Sequence, residues 1–173
     1  MLSAFAVFAL PLLALAQSTQ VDIVYNDITD IDTHVLELTS TTAAYQGGLV
    51  GQLPIGVDFT PVHLATRKGF YDSLPLPAQI STSDAQRLID HVNATLSKDN
   101  PKAVQVLKSK KPLFDASGSS PVIKSGLELL LFDHLSFSSE VAKRIPPALK
   151  ADGQIVIDVI TVALQDGINY FSS

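Results

Sequence analysis

The sequence predicts an all-α protein: an antiparallel bundle of about five helices, some kinked at proline. Three observations predict it. From Val21 to Leu49, residues recur at spacings alternating between three and four: Val21, Val24, Ile28, Ile31, Val35, Leu38, Thr42, Tyr45 and Leu49. That is the period of one helix face, interrupted only by Thr42. The 173-residue chain is 46% hydrophobic and has no cysteine, so a single core without disulfides must hold it together. The one β-branched run, residues 155–162, has no second strand to pair with, has helical flanks and keeps the 3–4 spacing.

The ends of the chain predict an address. Residues 1–16, MLSAFAVFALPLLALA, are apolar and uncharged and end in Ala14-Leu15-Ala16. Small residues at these positions predict signal-peptide cleavage between Ala16 and Gln17, although the leader lacks a basic start. The run is shorter than the ~20 apolar residues a membrane span needs. Residues 17–173 would then form one helical domain, secreted and found in the medium or at the cell wall. The C-terminal residues 169–173 have neither a lipid-anchor tail nor a retention signal. Asn93-Ala94-Thr95 is the one glycosylation sequon and predicts a solvated Asn93. A net charge of −5 with scattered Lys and Arg argues against nucleic acid as a partner.

The first helix carries the long seam. Asp22, Asn26, Asp27, Asp30, Asp32 and Glu37 fall off it and read as a solvated acidic back. Gly47 and Gly48 predict a stop and a reversal. The second helix has its seam at Val50, Leu53, Val57, Pro61, Leu64, Lys68 and Tyr71, with Pro54 and Pro61 inside it. An interior proline costs ~3 kcal/mol, so this is the weakest helix expected. Ser83 with Gln86 reads as a capping box opening a third helix, which Asn100-Pro101 kinks or divides in two. Ser120 and Pro121 open the fourth. Its middle, residues 127–137, is apolar around most of its circumference: either two neighbours cover it, or part of it lines a cavity or an exposed patch. Pro146-Pro147 opens the last helix, which runs to the C-terminus.

Motifs for covalent chemistry are missing. There is no GxSxG elbow, no HExxH, no Walker loop and no GxGxxG. His34, His63, His91 and His134 each lie in a different segment, which predicts solvated or core-satisfied histidines and no metal site. Asp27, Asp30, Asp32 and His34 lack the glycine and final glutamate of a calcium loop. Lys108, Lys110 and Lys111 fall near a helix C-terminus, where the dipole favours cations. No cofactor and no catalytic residue is expected, and the protein reads as a non-enzyme.

Several short motifs carry a resemblance over essentially the whole mature chain. They are Ile28-Thr29-Asp30-Ile31-Asp32-Thr33, Tyr45-Gln46-Gly47-Gly48-Leu49, Lys110-Lys111-Pro112-Leu113-Phe114, Ala148-Leu149-Lys150-Ala151 and Tyr170-Phe171-Ser172-Ser173. In this order and spacing they resemble the fungal hydrophobic surface-binding protein A family, which includes the cell-wall galactomannoproteins. The resemblance implies a secreted helical bundle that adsorbs to hydrophobic solid surfaces and binds fatty acids or other lipids. It also implies cell-wall polysaccharide and secreted esterases as partners, and it brings no catalytic motif. The chain departs from the family pattern at Pro54, Gly56 and Pro61, at Asn100-Pro101 and at Asp152-Gly153. The over-wide apolar helix and the seam pattern predict ligand contacts from Leu127, Leu130, Leu131, Ile160 and Leu164, facing Ile31, Val35 and Leu38. The competing expectations are a structural wall glycoprotein with no soluble ligand and a secreted hydrolase.

Overall fold

The long seam lies on helix α1, which spans Ala9–Ala44 in the computed structural model. The structure describes residues 9–172, with side chains from Thr19 onward except that of Gln52. Of the expected leader, residues 1–8 lie outside the described residues. The backbone from Ala9 through the Ala16–Gln17 junction is continuous with α1, and the side chains at that junction lie outside the described residues. Every seam residue from Val21 to Tyr45 is buried. Leu49 is not. The chain leaves α1 at Ala44 and turns through Gly47 and Gly48 at φ 103° and 82°, a region in which only glycine is unstrained. Leu49 then opens α2 in solvent.

Helix α2, Leu49–Ser73, runs through Pro54 and Pro61. It buries a different face from the one its spacing suggested. Ile55, Phe59, Val62, Ala65 and Thr66 point inward, whereas Val50, Leu53, Val57, Leu64 and Tyr71 are exposed, Val50 by 81%. The N-terminal half of α2 is apolar on both faces, so its period specifies a helix without specifying which face is buried. Close approach decides that. A Cβ at Gly69 would lie 2.9 Å from the Phe137 ring, and one at Gly126 would lie 2.9 Å from the Phe59 ring. Glycine at these two positions lets α2 meet the helix that carries Gly126 and Phe137.

The third segment is two helices end to end, α3 at Thr82–Ala94 and α4 at Leu96–Ser109. The cap of α3 is Ser81, whose hydroxyl accepts the Asp84 N–H at 3.0 Å. It replaces the expected Ser83 and Gln86, because Ser81 and Asp84 have the same spacing and add a negative charge to the first turn. The break falls at Thr95, not at Asn100-Pro101, and Pro101 lies inside α4. A proline ring crowds the carbonyl four residues earlier, so its disturbance falls upstream. A short α5 follows at Lys111–Ala116, then α6 at Ser120–Ala142, with Ser119 at the N-cap position, one residue before the expected cap, and no side-chain capping bond. A 3₁₀ turn at Pro147–Leu149 leads into α7, Lys150–Tyr170. Residues 155–162 lie in α7, and the described residues contain no strand.

The long segments alternate in direction along the chain. Asp27 meets Lys68 between α1 and α2, and His134 meets Thr161 between α6 and α7, both antiparallel hairpins. In space the helices close a ring in the order α1, α2, α6, α7, α4, with α3 packed across α1, α4 and α7. The α2–α6 pair is parallel: Phe59 meets Gly126, His63 meets Asp133 and Gly69 meets Phe137. At one end of the ring the fully buried Phe114 stacks on Tyr45, with centroids 4.9 Å apart, and approaches Phe171 at 6.1 Å. Cavities occupy the other end.

The acidic back of α1 is only partly solvated. Asp22, Asn26, Asp30 and Glu37 are exposed, but Asp27 and Asp32 are buried. Three helices pack on α1, so its buried arc is wider than its apolar seam. Asp27 is held by Lys68, which also reaches Asp72 at 2.7 Å. Asp32 is opposed by Asp99 of α4, and its Oδ1 has no partner. Burial, and then the second carboxylate, push the Asp32 pKa up to about 6. Folding therefore favours the protonated form. Stability is undiminished below the ordinary aspartate pKa of ~3.9 and falls as pH rises from there through about 6. Asp32→Asn is expected to stabilise the protein by about 2 kcal/mol at pH 7.5 and to change little at pH 4, as measured by urea denaturation at both pH values.

Candidate functional site

A cavity of about 370 Å³ opens between α3, α6 and α7. That is within the ~300–1,000 Å³ range of small-molecule sites. Leu88, Ile89 and Val92 form the α3 wall, Phe137 and Val141 the α6 wall, and Val156, Ile157 and Ile160 the α7 wall, over a floor at Ile28. Each wall uses positions three or four apart, so each helix presents one apolar stripe to the space. Gly153 lies at the mouth, where a Cβ would make ordinary contact with Ile89, at 3.8 Å. Below lies a void of about 40 Å³ on the ring axis, to which all five ring helices contribute. Leu96, His134, Phe137 and Ile160 line both spaces, so these four side chains form the wall between them.

Of the residues expected to contact a ligand, Ile31, Leu130, Ile160 and Leu164 line the void, and Ile160 also lines the outer cavity. Val35, Leu38 and Leu127 are core residues lining neither space, and Leu131 is half-buried against the core. The α3 wall is absent from the sequence expectation. Its amphipathic pattern was visible, but nothing local shows that α3 lies across the gap between α6 and α7. Gly153, a helical glycine without a turn to justify it, was the available signal.

The rim is positive and the interior neutral. Lys143 is paired with Glu140 at 2.6 Å, and Glu140 also holds Arg144 at 2.6 Å. Lys150 forms no ion pair among the described residues, although it is the first residue of α7, where the helix dipole disfavours a cation. No side chain caps that terminus. Deeper in, His134 Nε2 lies 3.0 Å from Thr161 Oγ1 and 3.2 Å from the Ile157 carbonyl. The carbonyl can only accept, so the proton is on Nε2. Burial pushes the His134 pKa down to about 4, which leaves a neutral imidazole at ordinary pH.

Large exposed hydrophobic side chains are most numerous on one side of the bundle, although α1 also exposes Ile23 and Leu36 and the same side carries Glu128 and Asp158. Helices α2, α6 and α7 are consecutive in the ring, and all three expose apolar side chains. The α2 residues Val50, Leu53 and Val57 are joined by Val122, Leu129 and Phe132 of α6 and by Ile155, Val159 and Val162 of α7. The far side, on α1 and α4, exposes Asp22, Asp30, Glu37, Lys98, Lys102 and Gln105. Both readings of the over-wide α6 therefore hold: one face is core, and part of the rest is surface. The three lysines near the α4 C-terminus are each engaged, Lys108 with Asp166, Lys110 with the Tyr45 carbonyl and Lys111 with Asp115. Among the described residues, no three His, Asp or Glu side chains converge as metal ligands, and no helix is long and apolar enough to cross a membrane.

Residues 21–143 match the family described as hydrophobic surface binding protein A. No curated protein matches the chain. Among solved structures, the chain is similar to ligand binding domain 1 of the Penicillium marneffei MP1 protein, complexed with arachidonic acids. Identity is 25%, over 89% of this chain and 99% of that one, with a TM-score of 0.83. Domain 2 of the same protein, complexed with multiple arachidonic acids, shares 23% identity over 86% and 93%, with a TM-score of 0.80. AFMP4P in complex with palmitic acid shares 18% identity over 87% and 99%, with a TM-score of 0.82.

Proposed function

The chain belongs to the hydrophobic surface binding protein A family, and on that premise we propose that it is a secreted, non-catalytic binder of long-chain fatty acids and hydrophobic solids. The observation that supports this most is the apolar cavity of about 370 Å³ with an unpaired Lys150 at its rim. An acyl chain entering it gains ~0.8 kcal/mol per buried methylene. The carboxylate stays at the mouth, beside Lys150 at the positive end of the α7 dipole. The neutral His134 lets the tail pass without burying a charge beside it. The fatty acids bound by the two MP1 domains and by AFMP4P support the same ligand class.

The apolar outer half, on α2, α6 and α7, is the face that adsorbs to solids, with the charged α1–α4 side left in water. We place the protein in the medium or at the cell wall, where cell-wall polysaccharide and secreted esterases are its further partners and the exposed Asn93 is its glycan site. The cavity favours this reading over that of a wall glycoprotein without a ligand.

Displacement of a fluorescent acyl probe from the mature protein tests the proposal. Palmitic acid is expected to displace it saturably at one site, and no displacement overturns the reading. Lys150→Gln is expected to weaken palmitate roughly 3- to 10-fold, more at low salt, and to leave hexadecanol binding as it was. An equal effect on acid and alcohol would show that Lys150 does not hold the head group.

A further inference from the structure

We propose that the void on the ring axis is a hydroxyl pocket, so that the site prefers long-chain fatty acids hydroxylated along the chain over their unsubstituted parents. The proposal rests on the fatty-acid reading above and narrows the ligand class of the same cavity. A void of about 40 Å³ at the centre of a helical core would ordinarily be lined by hydrocarbon alone. This one contains Thr66, Asn100 and His134.

Their hydrogen-bonding capacity is only partly used. Asn100 is more than nine-tenths buried, and its one side-chain hydrogen bond is Nδ2–H to the Leu96 carbonyl at 3.0 Å. Its Oδ1 and its second N–H have no protein partner. Thr66, also more than nine-tenths buried, donates to the Val62 carbonyl at 2.7 Å and keeps its lone pairs free. His134 donates from Nε2 to α7, so the neutral ring has an acceptor at Nδ1 with no protein partner. The side chains bordering the void thus carry three unused acceptors, Asn100 Oδ1, His134 Nδ1 and Thr66 Oγ1, and one unused donor, the second Asn100 N–H.

That set complements a hydroxyl, which donates once and accepts once. It does not suit an ionised carboxylate, which would face three acceptors with one donor. The head group therefore belongs at the Lys150 rim, and an oxygen further along the chain belongs in the void. The two spaces share Leu96, Phe137 and Ile160 as a common wall, so a chain that displaces these side chains passes from the cavity into the void. A bare methylene in the void would leave the buried polar atoms unpaired, the situation in which binding sites discriminate best against an analogue that lacks a hydroxyl.

Competition between stearic acid and a positional series of hydroxystearic acids tests this on the full mature protein. At least one isomer with the hydroxyl along the chain is expected to bind roughly 10-fold more tightly than stearate. Asn100→Leu, close in volume, should reverse the preference by making the void apolar. Thr66→Val, which removes a hydroxyl bonded only within its own helix, should narrow it and covers the case in which Asn100→Leu does not fold. If every isomer binds no better than stearate, the void holds only water and the proposal is overturned. A preference that both folded variants leave unaltered also overturns it, because the hydroxyl is then bound elsewhere. If neither stearate nor any isomer binds, the underlying fatty-acid reading fails.

Discussion

Gly153→Phe is expected to lower fatty-acid affinity about 100-fold while leaving helical content intact. Gly153 lies in the first turns of α7 at the cavity mouth, and a Cβ there meets nothing closer than Ile89, at 3.8 Å. The backbone therefore accepts a side chain, and removing glycine from a helix interior gains roughly 0.5–1 kcal/mol of propensity when the replacement is a good helix former. The phenyl ring has nowhere to lie except in the space between α3 and α7. Displacing about four methylenes of a bound tail removes ~3 kcal/mol, which is about 100-fold in affinity. Circular dichroism and probe displacement on the same sample measure both halves of the prediction. Undiminished affinity in a folded variant would move the ligand out of this cavity.

Phe114→Ala is expected to destabilise the protein by about 4 kcal/mol, the largest stability effect of any single truncation proposed for this chain. Phe114 is fully buried, stacks on Tyr45 and reaches Phe171. It also fastens α5, a six-residue helix too short to hold itself, to the ends of α1 and α7. The three rings hold together the end of the ring opposite the cavity. The loss should appear as a lower urea midpoint. Binding measured under conditions where the variant remains folded should match that of the parent protein.

These two predictions draw on different parts of what the sequence made legible. The helices and the seam of α1 were readable because the apolar period repeats over seven turns from Val21 to Tyr45 and nothing competes with it. The buried face of α2 was not. Val50, Leu53 and Val57 keep a helical period as well as Ile55, Phe59 and Val62 do, and only the contact of Gly69 and Gly126 with aromatic rings selects between them. Asp27 and Asp32 were misread because burial on α1 depends on the number of neighbouring helices, a tertiary quantity. Of the expected ligand contacts, Ile31, Leu130, Ile160 and Leu164 border the void, because the stripes on α1, α6 and α7 turn them toward the ring axis. The mouth was not legible, because the break at Thr95 and the turn before Lys150 place α3 over the gap, and neither leaves a periodic trace.

Contacts between a bound acyl chain and the protein report whether the tail enters the cavity between α3, α6 and α7. With isotope-labelled mature protein and palmitic acid carrying a ¹³C-labelled terminal methyl group, intermolecular nuclear Overhauser effects report where the tail lies. Contacts are expected from the methyl group to Phe137, Leu96 and Ile160, and from the protons beside the carboxylate to Lys150 and Gln154. Contacts confined to the outer residues Phe132, Val159 and Val162, or contacts in which head and tail exchange places, would contradict that placement.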